Sequence, residues 1–573
     1  MSAANRHSPV DHHRQSLIER FTRPEGWGLI AIGLAFVLLV IAIGPVHNFP
    51  VEDDWDYSRM VKIFLDTGQI QRSDYAQATL IFPALYGGLV SKIFGFSFTT
   101  LRFSTLALAL ITLIGFYLLL GEFNFDVKRR LLGTLTLLVS PIFIYLGFSF
   151  MTDVPAVCWL ILAALFYVRA VKRNDARQAV IGSACAALTF LTRQIGIFLP
   201  IAFGAIVLWR LPRAQWLKYG AAGGALPIAV IAIYVFAPSQ NAVANWATQN
   251  ITFGLTLGQL AQPDMWGIYL RRAVEALMTI GMYAAPIYAA IVLGHGRIFK
   301  RERIESPGRS ARVRWLIYGL GAIVFVLTVA RLAARGEWFP YLTDILTRAG
   351  LRPYLAYYAW DAGALRGEIL PHGVFVALTI LAAIAGLALI YGVVRQIDRA
   401  WWRGAAIELQ FVIALTLFIG LPSLIFATFY ERYLLPLLPG AIILLLGATR
   451  RQSFSMRAGG VALAGMAIIA WALMQDYLNW NEARWQVGRE LLAQSVPASK
   501  IDGGYEWDGW YLYDATVAYI RATGQPFIYD PWQYVLDPEY VLAFLPMKNY
   551  HVERVIEFAT PFADNRFYLQ RRN

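Results

Sequence analysis

The sequence predicts a polytopic α-helical membrane protein that ends in a small external α/β domain. Three observations carry that reading. Hydrophobic residues make up 58% of the 573-residue chain and charged residues only 15%, more apolar surface than a soluble protein of this size can hide. Apolar runs of about 18–25 residues, the length a bilayer core demands, recur through the first 475 positions. After Asp476 the long apolar runs stop and charged residues become frequent.

Taken in order, segment 1–26 is polar and basic, with Arg6, Arg14, Arg20 and Arg23, and is expected in the cytoplasm. It shows no small-residue cleavage site, so the first span is read as retained. Thirteen spans are expected, at about 27–46, 101–120, 131–150, 154–171, 178–193, 195–209, 218–237, 272–293, 315–333, 371–392, 405–427, 433–448 and 458–475. The junctions near 151–154 and 193–195 read as tight turns, or each apolar pair there is instead one kinked helix. Loops assigned inside are basic: Lys128-Arg129-Arg130, Lys172-Arg173, Arg395 with Arg399 and Arg403, and Arg450-Arg451. The longest, His295 to Arg314, holds seven Lys or Arg. This alternation favours an odd span count, a cytoplasmic N-terminus and an external C-terminus. The net charge of +13 is thus a topology signal and not a nucleic-acid footprint. Cys158 and Cys185 fall inside expected spans and read as small buried apolar residues.

Three parts define the organisation: segment 1–26, a membrane domain 27–475 whose first external loop is 48–100, and an external domain 476–573. Within that loop a short helix is expected over Tyr57 to Leu65, with Gly68 as its stop. Ile81 to Phe94 is apolar but too short to span and reads as an interfacial helix. The loops Pro238 to Arg271 and Ala334 to Leu370 are rich in aromatics, among them Trp246, Trp266, Trp338, Tyr354, Tyr357, Tyr358 and Trp360. These serve as membrane anchors or as stacking surfaces for sugars. In the tail, helices are expected over Glu482 to Gln494 and Ala515 to Ala522, and strands over Tyr540 to Phe544, Val552 to Phe558 and Phe567 to Gln570.

Chemistry concentrates just past the first span, in Glu52-Asp53-Asp54-Trp55-Asp56. One helix cap accounts for one Asp there, not for all four carboxylates. An ionised carboxylate within reach of an acceptor hydroxyl serves as a general base. Asp153, just before Val154-Pro155, lies at the same face and otherwise reads as a helix cap. Arg193 and Arg432 border spans on that face; arginine makes two-pronged bonds to phosphate and can offset charge developing on a phosphate leaving group. The bland alternative is snorkelling, or a pair between Arg432 and Glu431. No nucleotide-binding loop, nucleophile elbow or His-rich metal motif is present.

At these residues the sequence resembles a known group. Asp53-Asp54-Trp55-Asp56-Tyr57, with Gly68 fifteen residues after Asp53, resembles the first external loop of GT-C membrane glycosyltransferases. In bacterial relatives of protein O-mannosyltransferase and of the lipid A aminoarabinose transferase that loop begins Asp-Glu-x-x-Tyr. Met151-Thr152-Asp153-Val154-Pro155 is similar to their second acidic motif, and Leu191-Thr192-Arg193-Gln194, Arg432-Tyr433-Leu434-Leu435-Pro436 and Gly503-Gly504-Tyr505-Glu506-Trp507-Asp508-Gly509-Trp510 resemble further stretches. The resemblance implies inverting transfer from a polyprenyl-phosphate sugar to a glycan, lipid or protein acceptor outside a bacterial inner membrane. It implies Asp53 as base, Asp54 as a supporting carboxylate and Asp153 at the second acidic site. Arg193, Gln194, Arg432, Tyr57, Tyr433 and Gln77 are the candidates for lipid phosphate and sugar.

The lipid A relatives carry Glu-Lys ahead of the Pro pair in the second juxtamembrane helix, where this chain has Gln77-Ala78-Thr79-Leu80-Ile81-Phe82-Pro83. The chain therefore lacks that metal-binding Glu and phosphate-binding Lys, which argues against aminoarabinose chemistry. Tyr75, Gln77 and Thr79 are the polar groups left there. No cofactor is called for by these motifs, and a divalent cation is compatible with them. The rival readings are a lipid-linked saccharide flippase or transporter and an O-antigen polymerase. Transporters place polar residues near the bilayer midplane, whereas here the carboxylates gather at one interface.

Overall fold

The structure is a computed structural model that describes residues 24–73, 76, 78–236, 262–294, 309–342, 344–352, 355, 366–400, 406–426, 429–523, 538–562 and 565–573. Helices dominate. The first span is α1 (Pro24–Ile43), followed by α2 (Asp54–Thr67) and α3 (Ile81–Phe94) in the expected loop and α4 (Phe98–Glu122) beyond it. Gly68 ends α2 in the left-handed region at φ 72°, where its amide reaches the Phe64 carbonyl at 2.9 Å. That is the geometry glycine supplies without steric cost. The expected short helices at Tyr57–Leu65 and Ile81–Phe94 are both present.

The bundle continues with α5 (Val127–Leu138), α6 (Pro141–Gly147), α7 (Asp153–Arg173), α8 (Ala176–Thr192), α9 (Phe198–Arg210) and α10 (Arg213–Phe236). Then come α11 (Pro263–Tyr283), α12 (Ala285–Val292), α13 (Arg309–Ala334), α14 (His372–Ala400), α15 (Ile407–Ile425), α16 (Leu438–Ala448) and α17 (Met456–Ala493). Among the described residues, seven helices are long and apolar enough to cross a membrane, or nine if each bent pair counts as one span. Side chains on their outer faces stay exposed and apolar, such as Leu38 and Ile41 on α1, Ile233 on α10 and Val461 on α17. In a bilayer that exposure costs nothing. This is a multi-span membrane protein.

Two expected spans differ in shape. The run 131–150 is α5 and α6 bent by 62°, and 272–293 is α11 and α12 bent by 61°. Pro141 and Pro286 stand at the starts of the second pieces; proline lacks the amide the helix would need and forces a break. Each of the thirteen expected spans has a helix or a broken helix, yet α8, α9, α16 and the apolar part of α13 (Tyr318–Ala334) fall short of the length and apolarity of a full crossing. The boundary expected at 475/476 lies inside the continuous 38-residue α17. The segment expected as a separate helix at Glu482–Gln494 is therefore the end of a span that continues beyond the apolar layer.

The small domain packs α18 (Tyr505–Thr523) with a four-stranded sheet of β3 (Ile501–Asp502), β4 (Tyr540–Ala543), β5 (Tyr550–Glu557) and β6 (Arg566–Arg572), in the order β3-β4-β6-β5. β3 runs parallel to β4, and the other pairs are antiparallel, with Leu542 opposite Leu569. A separate hairpin joins β1 (Leu346–Thr347) to β2 (Gly350–Leu351). The expected strands are present; the expected Ala515–Ala522 helix starts ten residues earlier, at Tyr505.

Candidate active site

The site is built where the chain leaves α1. Arg102, near the start of α4, is buried and fans its guanidinium onto the carbonyls of Phe148 (2.7 Å), His47 (2.8 Å), Pro45 (3.0 Å) and Phe49 (3.0 Å). One cation thus satisfies carbonyls that an irregular segment would otherwise leave bare. Asp54 completes the staple, accepting from the amides of Val51 (2.5 Å) and Phe150 (2.9 Å). Burial pushes its carboxyl up to about 8, against the pull of those amides and of Arg102. The contacts of Asp54 therefore tie the loop to the turn preceding Asp153. They do not bring it to the neighbouring acid–arginine cluster, where a supporting carboxylate was expected.

Asp53 turns the other way. It occupies the cap position of α2 without a side-chain cap bond. Its carboxylate instead meets Arg432 at 2.8 Å and accepts the Tyr505 hydroxyl at 2.5 Å. Burial alone would raise its pKa, but Arg432, Arg352 and the Tyr505 hydrogen bond outweigh it and hold Asp53 below the usual carboxylate value. Glu52 stands at φ 59°, a left-handed conformation that costs a non-glycine residue about 1–2 kcal/mol. That kink turns its side chain onto Arg352 (2.9 Å) and Arg432 (3.1 Å). Asp344 joins from the β1 side, 3.2 Å from Arg352 and 3.6 Å from Arg432. Burial drives Glu52 well above, and Asp344 above, ordinary carboxyl values despite the two arginines. Among the described residues, three carboxyls thus share two guanidiniums. Burial favours the protonated form of Glu52 and of Asp344, and one retained proton would offset the excess negative charge.

A second pair adjoins this cluster. Asp153 is the first residue of α7 and takes Arg193 on one oxygen; its other oxygen, Oδ2, is buried with no hydrogen-bond partner among the described residues. The guanidinium of Arg193 lies 5.7 Å from the centre of the Tyr433 ring. Tyr57 is buried between the groups: burial and then the Asp53 charge raise its hydroxyl, while Arg432 and Arg193 both pull it down. The structure therefore gathers Asp53, Asp153, Arg193, Arg432, Tyr57 and Tyr433 at one end of the bundle. Gln194 is exposed at the start of a short 3₁₀ turn. Gln77 and Tyr75 lie outside the described residues. Thr79 is fully buried and donates to the Phe190 carbonyl at 2.5 Å, so its hydroxyl serves packing in place of the substrate contact expected of it.

Glu431 does not pair with Arg432. It accepts from the Tyr283 hydroxyl and from the Leu346 amide at 2.9 Å, and burial raises it to about 7. Asp344 and Arg352 escaped the sequence reading, because their loop drew attention only for its aromatics. Tyr505 sat inside a quoted motif, but nothing in the chain connects position 505 with position 53. The tail holds the loop in another way as well: Glu506 accepts the Glu52 amide at 3.2 Å and is paired with buried Arg484 at 2.8 Å. Trp55 packs on Tyr505 and Tyr513. A Cβ at Gly509 would stand 2.4 Å from the Trp55 ring, so α18 can approach this closely only with glycine there. Among the described residues no group of three His, Cys, Asp or Glu is placed to hold a metal ion.

Residues 81–240 match the family model of dolichyl-phosphate-mannose-protein mannosyltransferases. The match takes in α3, Asp153 and Arg193, and its description agrees with the motifs. No match to this chain was found among curated protein sequences. Solved structures similar to it include ArnT from Cupriavidus metallidurans bound to undecaprenyl phosphate, at 13% identity and a TM-score of 0.40, over 95% of this chain and 98% of that one. An oligosaccharyltransferase from Archaeoglobus fulgidus is similar at 14% identity and a TM-score of 0.43, over 81% of this chain and 56% of that one. The Pmt1-Pmt2 protein O-mannosyltransferase complex of S. cerevisiae, bound to the sugar donor, is similar at 14% identity and a TM-score of 0.33, over 37% of this chain and 33% of that one. The chain thus spans about a third of the yeast chain's length and just over half of the archaeal one's.

Proposed function

We propose that this protein transfers a glycosyl group from a polyprenyl-phosphate donor to an acceptor on the outer side of a bacterial inner membrane, with Asp53 as general base and inversion at the anomeric carbon. The observation that carries the reading is the buried contact of Asp53 with Arg432 and Tyr505 at the mouth of the bundle. In this arrangement Asp53 is a weak base, because its pKa is depressed. Arrival of a lipid phosphate changes that. Arg432 has a two-pronged preference for phosphate oxygens, and shifting toward the phosphate would relieve the charge that depresses Asp53. Its carboxylate would then rise toward the ordinary range and accept the acceptor's proton as the hydroxyl attacks. The phosphate leaves with the charge that Arg432, and Arg193 beside it, offset. Base activation is thereby coupled to donor binding.

The experiment is donor hydrolysis by purified protein in lipid nanodiscs, with an undecaprenyl-phosphate sugar and no acceptor. Slow release of free sugar, lost in Asp53→Asn, supports the transferase. Movement of the lipid-linked sugar between leaflets without any release would identify a flippase instead.

A further inference from the structure

A cavity of about 230 Å³ opens beside this site, lined by Asn48, Phe96, Phe98, Trp485, Trp510 and Tyr511 with Ser97 and Arg489. We propose that it binds one sugar ring of a saccharide acceptor, next to the ring that reacts; this rests on the transferase reading above. Its walls come from three places: the ends of the first loop, the part of α17 beyond the apolar layer, and α18. Trp485 is buried at the floor, where it faces Phe49 (6.5 Å), Phe98 (6.5 Å) and Trp507 (4.9 Å). Trp510 is half-buried, with Phe96 stacked on it at 6.2 Å and Phe98 edge-on at 4.8 Å, whereas Tyr511, 4.5 Å from Trp507, is 38% exposed and is the more open of the two rings.

The chemistry matches a sugar better than a lipid chain. A pyranose offers an apolar face of C–H groups to an aromatic ring and a rim of hydroxyls around it. Here the aromatic faces meet a polar edge of Asn48, Ser97 and Arg489, and the Lys62 ammonium lies 5.8 Å over the Trp510 ring. Anchors of a membrane belt would instead point their rings outward to lipid. The volume falls below the roughly 300–1,000 Å³ of sites for larger ligands, which suits a single ring.

Position supplies the second argument. Tyr505, which bonds to Asp53, begins the same helix that carries Trp510 and Tyr511. Five or six residues of helix rise about 8–9 Å, so Trp510 and Tyr511 stand about one or two sugar rings along α18 from Tyr505, whose hydroxyl meets Asp53. The other end of the cavity is Asn48, five positions before Asp53 in the chain. An acceptor glycan seated there would extend toward the base.

Saturation-transfer NMR on the full chain in nanodiscs tests this without donor or turnover, using the methyl glycosides of glucose, mannose, galactose and glucuronic acid as probes. At least one glycoside is expected to show transfer to its ring protons. Tyr511→Ala, which removes an exposed ring, is expected to weaken its apparent affinity about tenfold, the scale of one aromatic contact. Trp510→Phe, which keeps a ring, should weaken it less. Asp53→Asn protein is expected to bind the same glycoside unchanged, so a failed base assignment leaves this result standing. No transfer from any of the four probes, or transfer insensitive to Tyr511→Ala, would overturn the proposal.

Discussion

Two buried charge clusters in this protein are built on different principles. At the junction of α17 and the sheet domain, Asp476 meets Arg366 at 2.5 Å with both side chains essentially inaccessible, and Thr560 donates to the other carboxylate oxygen. Phe544 and Phe558 lie 5.9 and 5.3 Å from that guanidinium. Among the described residues the charges match one to one, and two aromatic rings lie against the pair. Around Asp53, by contrast, three carboxyls divide two arginines, and Glu52 Oε2 is buried with no hydrogen-bond partner among the described residues. Desolvating such a set is expensive. A matched pair explains itself as architecture; the set around Asp53 balances only where one of its carboxyls keeps a proton.

That contrast can be broken most forcefully at Asp53. Asp53→Asn is expected to lower transfer by about 10²–10⁴-fold, the range of a lost general base, while thermal unfolding of the nanodisc-embedded protein changes little. Asp54→Asn should do the reverse, since its oxygens serve backbone amides. Equal turnover in Asp53→Asn and the natural protein would remove the base assignment. At the matched cluster, Asp476→Asn is expected to destabilise the fold by about 3 kcal/mol or more, because the buried ion pair with Arg366 is broken. Turnover per folded molecule should hold. A turnover defect with unchanged stability would erase the distinction between the clusters.

Smaller effects sharpen it. Arg432→Lys preserves charge but loses the planar fork; the apparent donor affinity should fall about tenfold, read from initial rates at limiting donor. An unchanged affinity would make Arg432 a partner of the acids alone. The finest test is Tyr505→Phe. Its hydroxyl stabilises ionised Asp53, so removal raises the Asp53 pKa. Activity that needs the carboxylate is lost as pH falls through that pKa, and the acidic limb should move upward by about one unit, the worth of a hydrogen bond to a charge. A pH–rate profile that does not move would show that the tail merely covers the loop.

Local features were legible wherever a local cause sufficed. Ile81–Phe94 appears with the expected limits, and Gly68 ends α2 because only its own backbone freedom is needed. Three of the tail's four strands, β4, β5 and β6, fall where short apolar runs rich in Val, Tyr and Phe predict them, whereas the two-residue β3 leaves no such run. The bends at Pro141 and Pro286 were available in the sequence too, but an apolar run alone does not separate one helix from a broken pair. The expected boundary at 475/476 falls inside α17 for a related reason: polarity changes at the membrane surface, while the helix goes on forming backbone bonds through it.

The sequence by itself determined the membrane class, the positions of the apolar helices and the acidic cluster after the first of them, because hydropathy, glycine and proline act through near neighbours. It also drew attention to Asp53, Asp153, Arg193 and Arg432 as candidates. Only the tertiary structure decided the division of labour between adjacent residues, sending Asp53 to Arg432 and Tyr505 and Asp54 to the Val51 and Phe150 amides. It alone brought in Asp344, Arg352 and Tyr505, which stand 291, 299 and 452 positions from Asp53 in the chain. Electrostatic partnership depends on distance in space and on the water excluded between groups, and neither is written in the order of residues.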